Sequence, residues 1–426
     1  MSKGILWFRA DLRLSDNLAL RAAMEASTEI VPIYILEEDW LVEDQWGFQR
    51  TGVHRMRFLL ESLQDLKEHL QDLGSDLVIK KGNAKKLLPE LALQYDCATI
   101  FASKEYTHEE IQIEKQLANK VSLTLVHNSP MIHPDDVPFA IDRMPEVFTA
   151  FRKKVEKYSE VSSPFLSPKT INSPSLEETP IPTLTSLGYK DSPIDPRIAL
   201  PFKGGALAAW KRLDHYFWNT EQLSVYKETR NGMIGADYSS KFSPWLANGC
   251  ISARSIYAEI EKYEESIEKN KSTYWLKFEL LWRDFFKYTA MRYGNSIFQA
   301  EGIKRRPKNW LHKPHIMEQW IMGRTNDEFV NANMKELQLT GFMSNRGRQN
   351  VASYLVHQLK QDWRAGAAWF ESMLIDYDVT SNYGNWIYAA GVGNDPRDRV
   401  FNTKRQANMY DKQGEYRKLW LVKKDE

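Results

Sequence analysis

Apolar residues follow two different rhythms along the 426-residue chain. In the first 130 residues, short β-rich runs lie at 5–8, 30–36, 76–80, 99–102 and 123–126. Helical patterns separate them. Leu59, Leu63, Leu66 and Leu70, for example, recur at the spacing of one helix face. Near-continuous apolar strands alternating with helices predict a parallel sheet covered on both faces. From Gly204 onward the pattern is helical to the end. Leu207, Trp210, Lys211 and Asp214 open one amphipathic helix, Ile256, Ile260 and Tyr263 lie on another, and Val351, Tyr354, Leu355 and Leu359 make a third. Between Pro164 and Pro201 lie 8 of the 18 prolines among many serines and threonines, which predicts an extended connector running over the surface. The expected organisation is an α/β domain over 1–130, a connector over 131–203 that is Pro/Ser-rich from 164, and an all-α domain over 204–426.

Composition narrows the class. No apolar run reaches membrane-spanning length, and no charged, apolar, small-residue leader opens the chain. Two cysteines, Cys97 and Cys250, cannot build a disulfide framework, so a reducing, cytoplasmic compartment is expected. The net charge of +1 hides an asymmetry: residues 1–130 sum to −5 and the remainder to +6, and 11 of the 14 tryptophans lie at or after Trp210. A basic, Trp-rich half suits nucleic acid, with cations for phosphates and rings for bases, and equally suits a large helical core.

The chemistry concentrates in a few segments. No GxGxxG follows the first strand, and no GxxxxGK[ST] occurs anywhere, so the sheet is Rossmann-like without the pyrophosphate fingerprint. Its first turn carries Arg9, Asp11 and Arg13, before a helix cap expected at Ser15 or Asp16. YSSKFSPWLANGCIS at 238–252 sets Ser239, Ser240, Lys241, Phe242 and Ser243 just before a helix start, which fits an anion site or plain N-capping with Pro244 near the first position. In FELLWRDFFKYTAMR at 278–292, Glu279, Trp282, Arg283 and Phe286 share one helix face, where the charges need partners or a cavity. NRGRQN at 345–350 and DYDVTSNYGNWIYAAGVGND at 376–395 combine amides, a carboxylate–guanidinium set (Arg348 with Asp376 or Asp378) and redox-capable rings. That set suits a flat, polar, electron-accepting cofactor such as a flavin. It also suits a Gly/Asn-rich turn with a core Trp. No Cys/His metal set lies nearby.

These segments, together with WFRADLRLSDNLAL at 7–20 and GEYRKLWL at 414–421, resemble the photolyase/cryptochrome family, and specifically its cryptochrome-DASH branch. The resemblance implies an α/β photolyase-type domain, an all-α FAD-binding domain and noncovalent FAD. It implies a light-driven deoxyribodipyrimidine photolyase that repairs cyclobutane pyrimidine dimers by electron transfer from reduced flavin and prefers single-stranded DNA. Catalytic roles would fall to Glu279, Trp282, Asn345 and Asn382. FAD contacts would come from Tyr226, Arg230, Ser239, Ser240, Lys241, Phe242, Ser243, Arg348, Asp376, Asp378 and Asn382. The electron relay would be Trp386, Trp363 and Trp310, from flavin to solvent. DNA contacts would be Trp282, Gln349 and Tyr388, the last two being departures from conventional photolyases that are typical of the branch. A folate antenna, 5,10-methenyltetrahydrofolate, would sit near 104–110 with Glu110 as its nominal carboxylate; the short loop after Val126 speaks against it. Asp327, Glu328 and Asn331 depart from the family's usual form. The partner is dimer-containing DNA, no membrane is involved, and a monomer is expected. Two other readings compete: a blue-light signalling cryptochrome, weakened by the absence of a long disordered tail after Tyr388, and an NAD(P)H flavin oxidoreductase, weakened by the missing GxGxxG.

Overall fold

The computed structural model describes residues 2–191, 193–395 and 400–422. Five strands, β1 (Lys3–Phe8), β2 (Glu29–Glu37), β3 (Val78–Gly82), β4 (Cys97–Ser103) and β5 (Ser122–Val126), form one parallel sheet in the order β3-β2-β1-β4-β5. All five expected runs are strands. Alternation along each strand sends residues to opposite faces. Leu6, Phe8, Tyr34 and Leu36 join one core with helices α1 (Leu18–Ala26) and α2 (Val53–Asp72). Ile5, Trp7, Ile33 and Ile35 join another with α3 (Ala84–Gln94) and α4 (His108–Ala118). Leu59, Leu63, Leu66 and Leu70 are buried on α2 as expected. The cap of α1 is Asn17, whose side chain accepts from the Ala19 and Leu20 N–H groups, rather than Ser15 or Asp16. Asp16 is instead buried against Arg254 at 3.0 Å.

The connector carries α5 (Phe148–Tyr158) and then runs extended apart from a short turn at Thr185–Leu187. It does more than cross the surface. Ile171, Leu184, Leu187 and Tyr189 are buried, and the Tyr189 hydroxyl donates to the Thr51 carbonyl at 2.6 Å.

The rest is helical among the described residues, so the α/β-plus-all-α class holds. The helices are α6 (Ala206–Asp214), α7 (Tyr226–Thr229), α8 (Ser243–Ala247), α9 (Ala253–Ser266), α10 (Lys271–Tyr293), α11 (Pro314–Ile321), α12 (Glu328–Thr340), α13 (Asn345–Ser353), α14 (Trp363–Met373), α15 (Val379–Ala389), α16 (Thr403–Tyr410) and α17 (Glu415–Leu421). Ile256, Ile260 and Tyr263 are fully buried on α9 as expected. On α6 the buried face is Ala209, Arg212 and Leu213, and Leu207 points out, half exposed. The departures at 326–331 prove to be a cap. Asp327 accepts from the Val330 N–H at 3.0 Å, and Asn331 accepts from the Thr325 N–H at 2.8 Å.

Helix α10 anchors the assembly. Its buried Asp284 accepts from the Met131 and Ile132 N–H groups, each at 3.0 Å, and Arg283 donates to the Ser129 carbonyl at 2.8 Å. The first turn of the α/β domain is tied to the helices as well, since buried Arg13 donates to the Gly249 carbonyl at 3.0 Å. Arg9, Asp11 and Arg13 therefore serve packing. Asp11 accepts from Ser103 and Asn128, and Arg9 pairs with Glu114.

Candidate functional site

A cavity of about 360 Å³ opens among the helices. It is lined by Tyr226, Arg230, the 238–243 segment, Glu279 and Arg283 of α10, Asn345, Arg348 and Gln349 of α13, Asp376, Asp378, and Asn382, Trp386 and Tyr388 of α15. Residues from Tyr226 to Tyr388 thus meet around one cavity. Three expected residues do not line it: Trp282, Trp310 and Trp363.

The 238–243 wall is shaped by a residue that the sequence reading missed. Arg212, buried on α6, donates to the carbonyls of Ala236, Ser239 and Ser240 at 3.1, 2.9 and 3.0 Å and pairs with Asp237 at 2.7 Å. Drawing those carbonyls to one side turns the segment's other edge, with its hydroxyls, toward the cavity. Helix α8 has only five residues, so its dipole adds less than a full helix would. The side chain poised to meet an anion is Lys241. It is 4 % exposed, its Nζ rests 3.2 Å from the Tyr238 ring centroid, and it has no hydrogen-bond partner among the described residues. Burial, helped by Arg212, pushes its ammonium down to about 6. An anion placed against it would favour the charged form. The Tyr238 hydroxyl is orphaned in the same way.

On the opposite wall the Arg348 guanidinium donates to Asp376 Oδ2 at 2.8 Å and to the Met343 carbonyl at 2.9 Å. Asp376 Oδ1 is buried without a partner among the described residues, which leaves an acceptor waiting. Asp378 caps α15 by accepting from the Ser381 N–H at 2.7 Å, and Lys287 of α10 pairs with it at 3.1 Å. Burial alone would raise the Asp378 carboxyl; Lys287, Arg283 and the helix-start donors overrule it and hold the carboxyl well below the usual range. The Asn382 amide nitrogen donates to the Ala367 carbonyl at 3.0 Å, so its oxygen is the atom left to accept from a ligand.

Glu279 is held by Arg230 at 2.9 Å, and burial raises its carboxyl against that pull. Trp282 stacks on Phe148 of α5, with centroids 3.7 Å apart and planes 13° from parallel. It meets Tyr388, which does line the cavity, edge-on at 5.9 Å. Trp282 therefore stands one ring back from the cavity, with one of its faces covered. Asn345 is exposed at the start of α13, and Gln349 accepts from Arg346 at 2.9 Å.

Of the three tryptophans of the expected relay, Trp386 and Trp363 are buried and Trp310 is half-buried. Trp386 is 2 % exposed, and its ring lies over Gly366, where an added Cβ would sit 2.3 Å from it. Gly366 is one helical turn after the buried Trp363 on α14. Trp363 and Trp310 donate their indole N–H groups to one acceptor, the Ala300 carbonyl, at 3.3 and 2.9 Å. Trp320, absent from the sequence expectations, meets Trp386 edge-on at 6.3 Å.

A second cavity, of about 940 Å³, lies where β1 and β4 part, at the switch point of the sheet order, against the start of α15. Open α/β sheets bind ligands at such a crevice. Glu110, the nominal antenna carboxylate, lines it but accepts from Thr107 at the start of α4. Glu105 suits a ligand better: burial, against the pull of Arg9, pushes its carboxyl up to about 7. Asp378 lines both cavities. Among the described residues, no group of three His, Cys, Asp or Glu could hold a metal, and no helix is long and apolar enough to cross a membrane.

Comparison with known proteins places this architecture. Residues 4–170 match the family described as DNA photolyase, and residues 275–425 match the FAD binding domain of DNA photolyase. The Cryptochrome DASH of Gloeobacter violaceus is 45% identical over 424 residues, 98% of this chain and 85% of that protein. The crystal structure of a Synechocystis sp. PCC6803 cryptochrome superposes with a TM-score of 0.95 at 45% identity, over 98% of this chain and 88% of that one. An archaeal photolyase from Sulfolobus tokodaii, solved with two FAD molecules and described as implying a novel light-harvesting cofactor, gives 0.80 at 25% identity, over 98% and 90%.

Proposed function

The chain belongs to the photolyase/cryptochrome family, in its cryptochrome-DASH branch, and from that premise we propose that it is a light-driven, FAD-dependent deoxyribodipyrimidine photolyase, splitting cyclobutane pyrimidine dimers and preferring lesions in single strands. The observation that carries the cofactor is the set of buried polar atoms without protein partners around one cavity: Asp376 Oδ1, Lys241 Nζ and the Tyr238 hydroxyl. Such atoms are costly unless a ligand completes them. FAD fits both ends, with a polar ring edge for Asp376 and Arg348 and a pyrophosphate for Lys241, Ser240 and Ser243. When bound and reduced, FAD supplies a photoexcited one-electron donor to the dimer.

The residues do the rest. Asn382 presents an acceptor oxygen that favours a protonated ring nitrogen opposite it. The Asp378–Lys287 pair fixes the start of α15, and with it Asn382, Trp386 and Tyr388, against α10. Glu279, kept in place by Arg230, offers its second oxygen to a thymine edge, and Tyr388 backed by Trp282 supplies an aromatic border for an extrahelical base. Trp386, Trp363 and Trp310 conduct electrons inward. A lesion already out of a duplex avoids the unpairing cost, which favours single strands. The second cavity is our site for a folate-type antenna, with Glu105 rather than Glu110 meeting its polar ring; the short loop after Val126 does not remove the space for one.

The test is dimer loss from a single-stranded oligonucleotide with chemically reduced, FAD-loaded protein under blue light, with dark and duplex controls. Repair in light only, faster on the single strand, is expected. FAD bound and photoreducible with no dimer lost would refute the repair reading and leave blue-light signalling.

A further inference from the structure

We propose that the surface around Trp310 docks a small anionic one-electron reductant, which Lys308 and the basic loop before it select by charge. The proposal rests on the relay reading, in which Trp310 is the outermost ring. Lys308 Nζ stands 5.6 Å from the Trp310 ring centroid and donates to the Ala390 carbonyl at 2.7 Å, so the cation is held over the ring. The indole N–H is used inward on Ala300. What Trp310 shows to solvent is therefore ring rather than a polar handle.

The loop around the ring is predominantly basic. Between 300 and 313 there are five cations, Lys304, Arg305, Arg306, Lys308 and Lys313, against one carboxylate, Glu301. Arg305, Arg306 and Lys313 are exposed. The loop is held in place: Lys304 donates to the Asp395 carbonyl, and its N–H donates to Val392 at 3.2 Å. The Leu311 N–H meets the Lys360 carbonyl at 3.4 Å, so the exposed Lys360 adjoins the loop one residue after Trp310. Asp362 is paired with Arg364 at 2.6 Å, and the buried Asp395, whose carbonyl takes Lys304, is a further carboxylate at the loop's base.

The electron count fixes the donor. Each inward transfer leaves the Trp310 indole one electron short and positively charged. The external donor gives up one electron and is oxidised by one, and the indole returns to neutral without moving a proton. A cation over the ring disfavours the positive indole, which makes it a stronger oxidant. The same cations raise the local concentration of anions and repel cations. An enediolate or another anionic reductant is favoured over a neutral or cationic one.

The first test needs no cofactor. Tryptophan fluorescence of the full chain is quenched with iodide, caesium and acrylamide, and the Trp310 share is taken as the difference from Trp310→Phe. Iodide should quench that share at least about threefold more efficiently than caesium at low salt. The preference should collapse at about 1 M ionic strength, where the Debye length is about 3 Å. In Arg305→Gln/Lys308→Gln the iodide advantage should vanish while acrylamide quenching stays the same, which shows that exposure has not changed. Equal quenching by iodide and caesium in the unaltered chain overturns the proposal.

The second test uses FAD-loaded protein and compares photoreduction by ascorbate, an anion, with photoreduction by hydroquinone, which is neutral. Only the ascorbate rate should fall with salt and in the double variant. If Trp310→Phe leaves both rates unchanged, the relay reading fails. If Trp310→Phe slows both rates but ascorbate gains nothing over hydroquinone, the relay stands and this proposal fails. If the double variant loses affinity for DNA while its ascorbate rate is untouched, the loop serves phosphate docking, and the proposal fails too.

Discussion

Replacing Lys287 by Met tests how the start of α15 is held. Lys287 is 3 % exposed and Asp378 16 %, and their charged atoms are 3.1 Å apart. At that distance, with an effective dielectric of about 20, the attraction is about 5 kcal/mol, and removing one partner of a buried pair typically costs about 3–5 kcal/mol. Asp378 keeps its Thr380 and Ser381 donors, each at 2.7 Å, so the lower end, about 3 kcal/mol, is expected. The loss should depend on pH. In the unaltered chain the folded Asp378 carboxyl titrates below its unfolded value, so it stabilises the fold above about pH 4 and loses this as pH falls. Without Lys287 only Arg283 and the helix-start donors oppose burial, so the carboxyl moves up and its stabilising contribution at neutral pH shrinks. Both effects make the gap widest near neutrality and narrower in acid. Urea unfolding of the FAD-free chain and of Lys287→Met, from about pH 7 to about pH 3, spans the unfolded carboxyl's titration and measures the gap. A gap that stays constant across that range would refute the pairing argument.

Ser240→Ala with Ser243→Ala, and separately Asp376→Asn, should each lower FAD occupancy; absorbance at the flavin band per chain reads this out. Trp386→Phe should abolish photoreduction of the oxidised cofactor yet spare repair by protein reduced chemically beforehand, since repair draws no electron through Trp386; stopped illumination followed by spectroscopy separates the two. Trp282→Ala should weaken binding of dimer-containing DNA by about 1–3 kcal/mol. It should also lower the melting temperature, because the ring stacks on Phe148. Phe148→Leu should reproduce the melting loss without the binding loss, and equal binding losses in both would make Trp282 a packing residue only.

Much of this was legible because strand and helix periods are written locally. The five strands and the buried Ile256–Ile260–Tyr263 stripe follow from spacing and chemical type, whereas the pairing of Arg348 with Asp376 was legible only through the family resemblance. Spacing tells which face a residue shares, but not what covers that face. Glu279 and Trp282 share a face of α10, yet one lines the cavity and the other stacks on a phenylalanine from the connector. Arg212 left a trace, an arginine among Ala209 and Leu213 on an apolar stripe, but its three carbonyl acceptors lie more than 20 residues away. Glu105 and Glu110 differ only in which one α4 uses for itself.

The carbonyl of Ala300 accepts from two indoles at once. The separation of Trp310 from Trp363 is thus set by a main-chain atom rather than by contact of the rings with each other. Replacing either indole by Phe deletes one donor but leaves the carbonyl with the other. The junction has structural redundancy where its electronic function has none. Kinetic losses in single Phe variants at 310 or 363 therefore report the broken conduction path rather than a lost anchor, whereas the double variant removes both donors from that carbonyl.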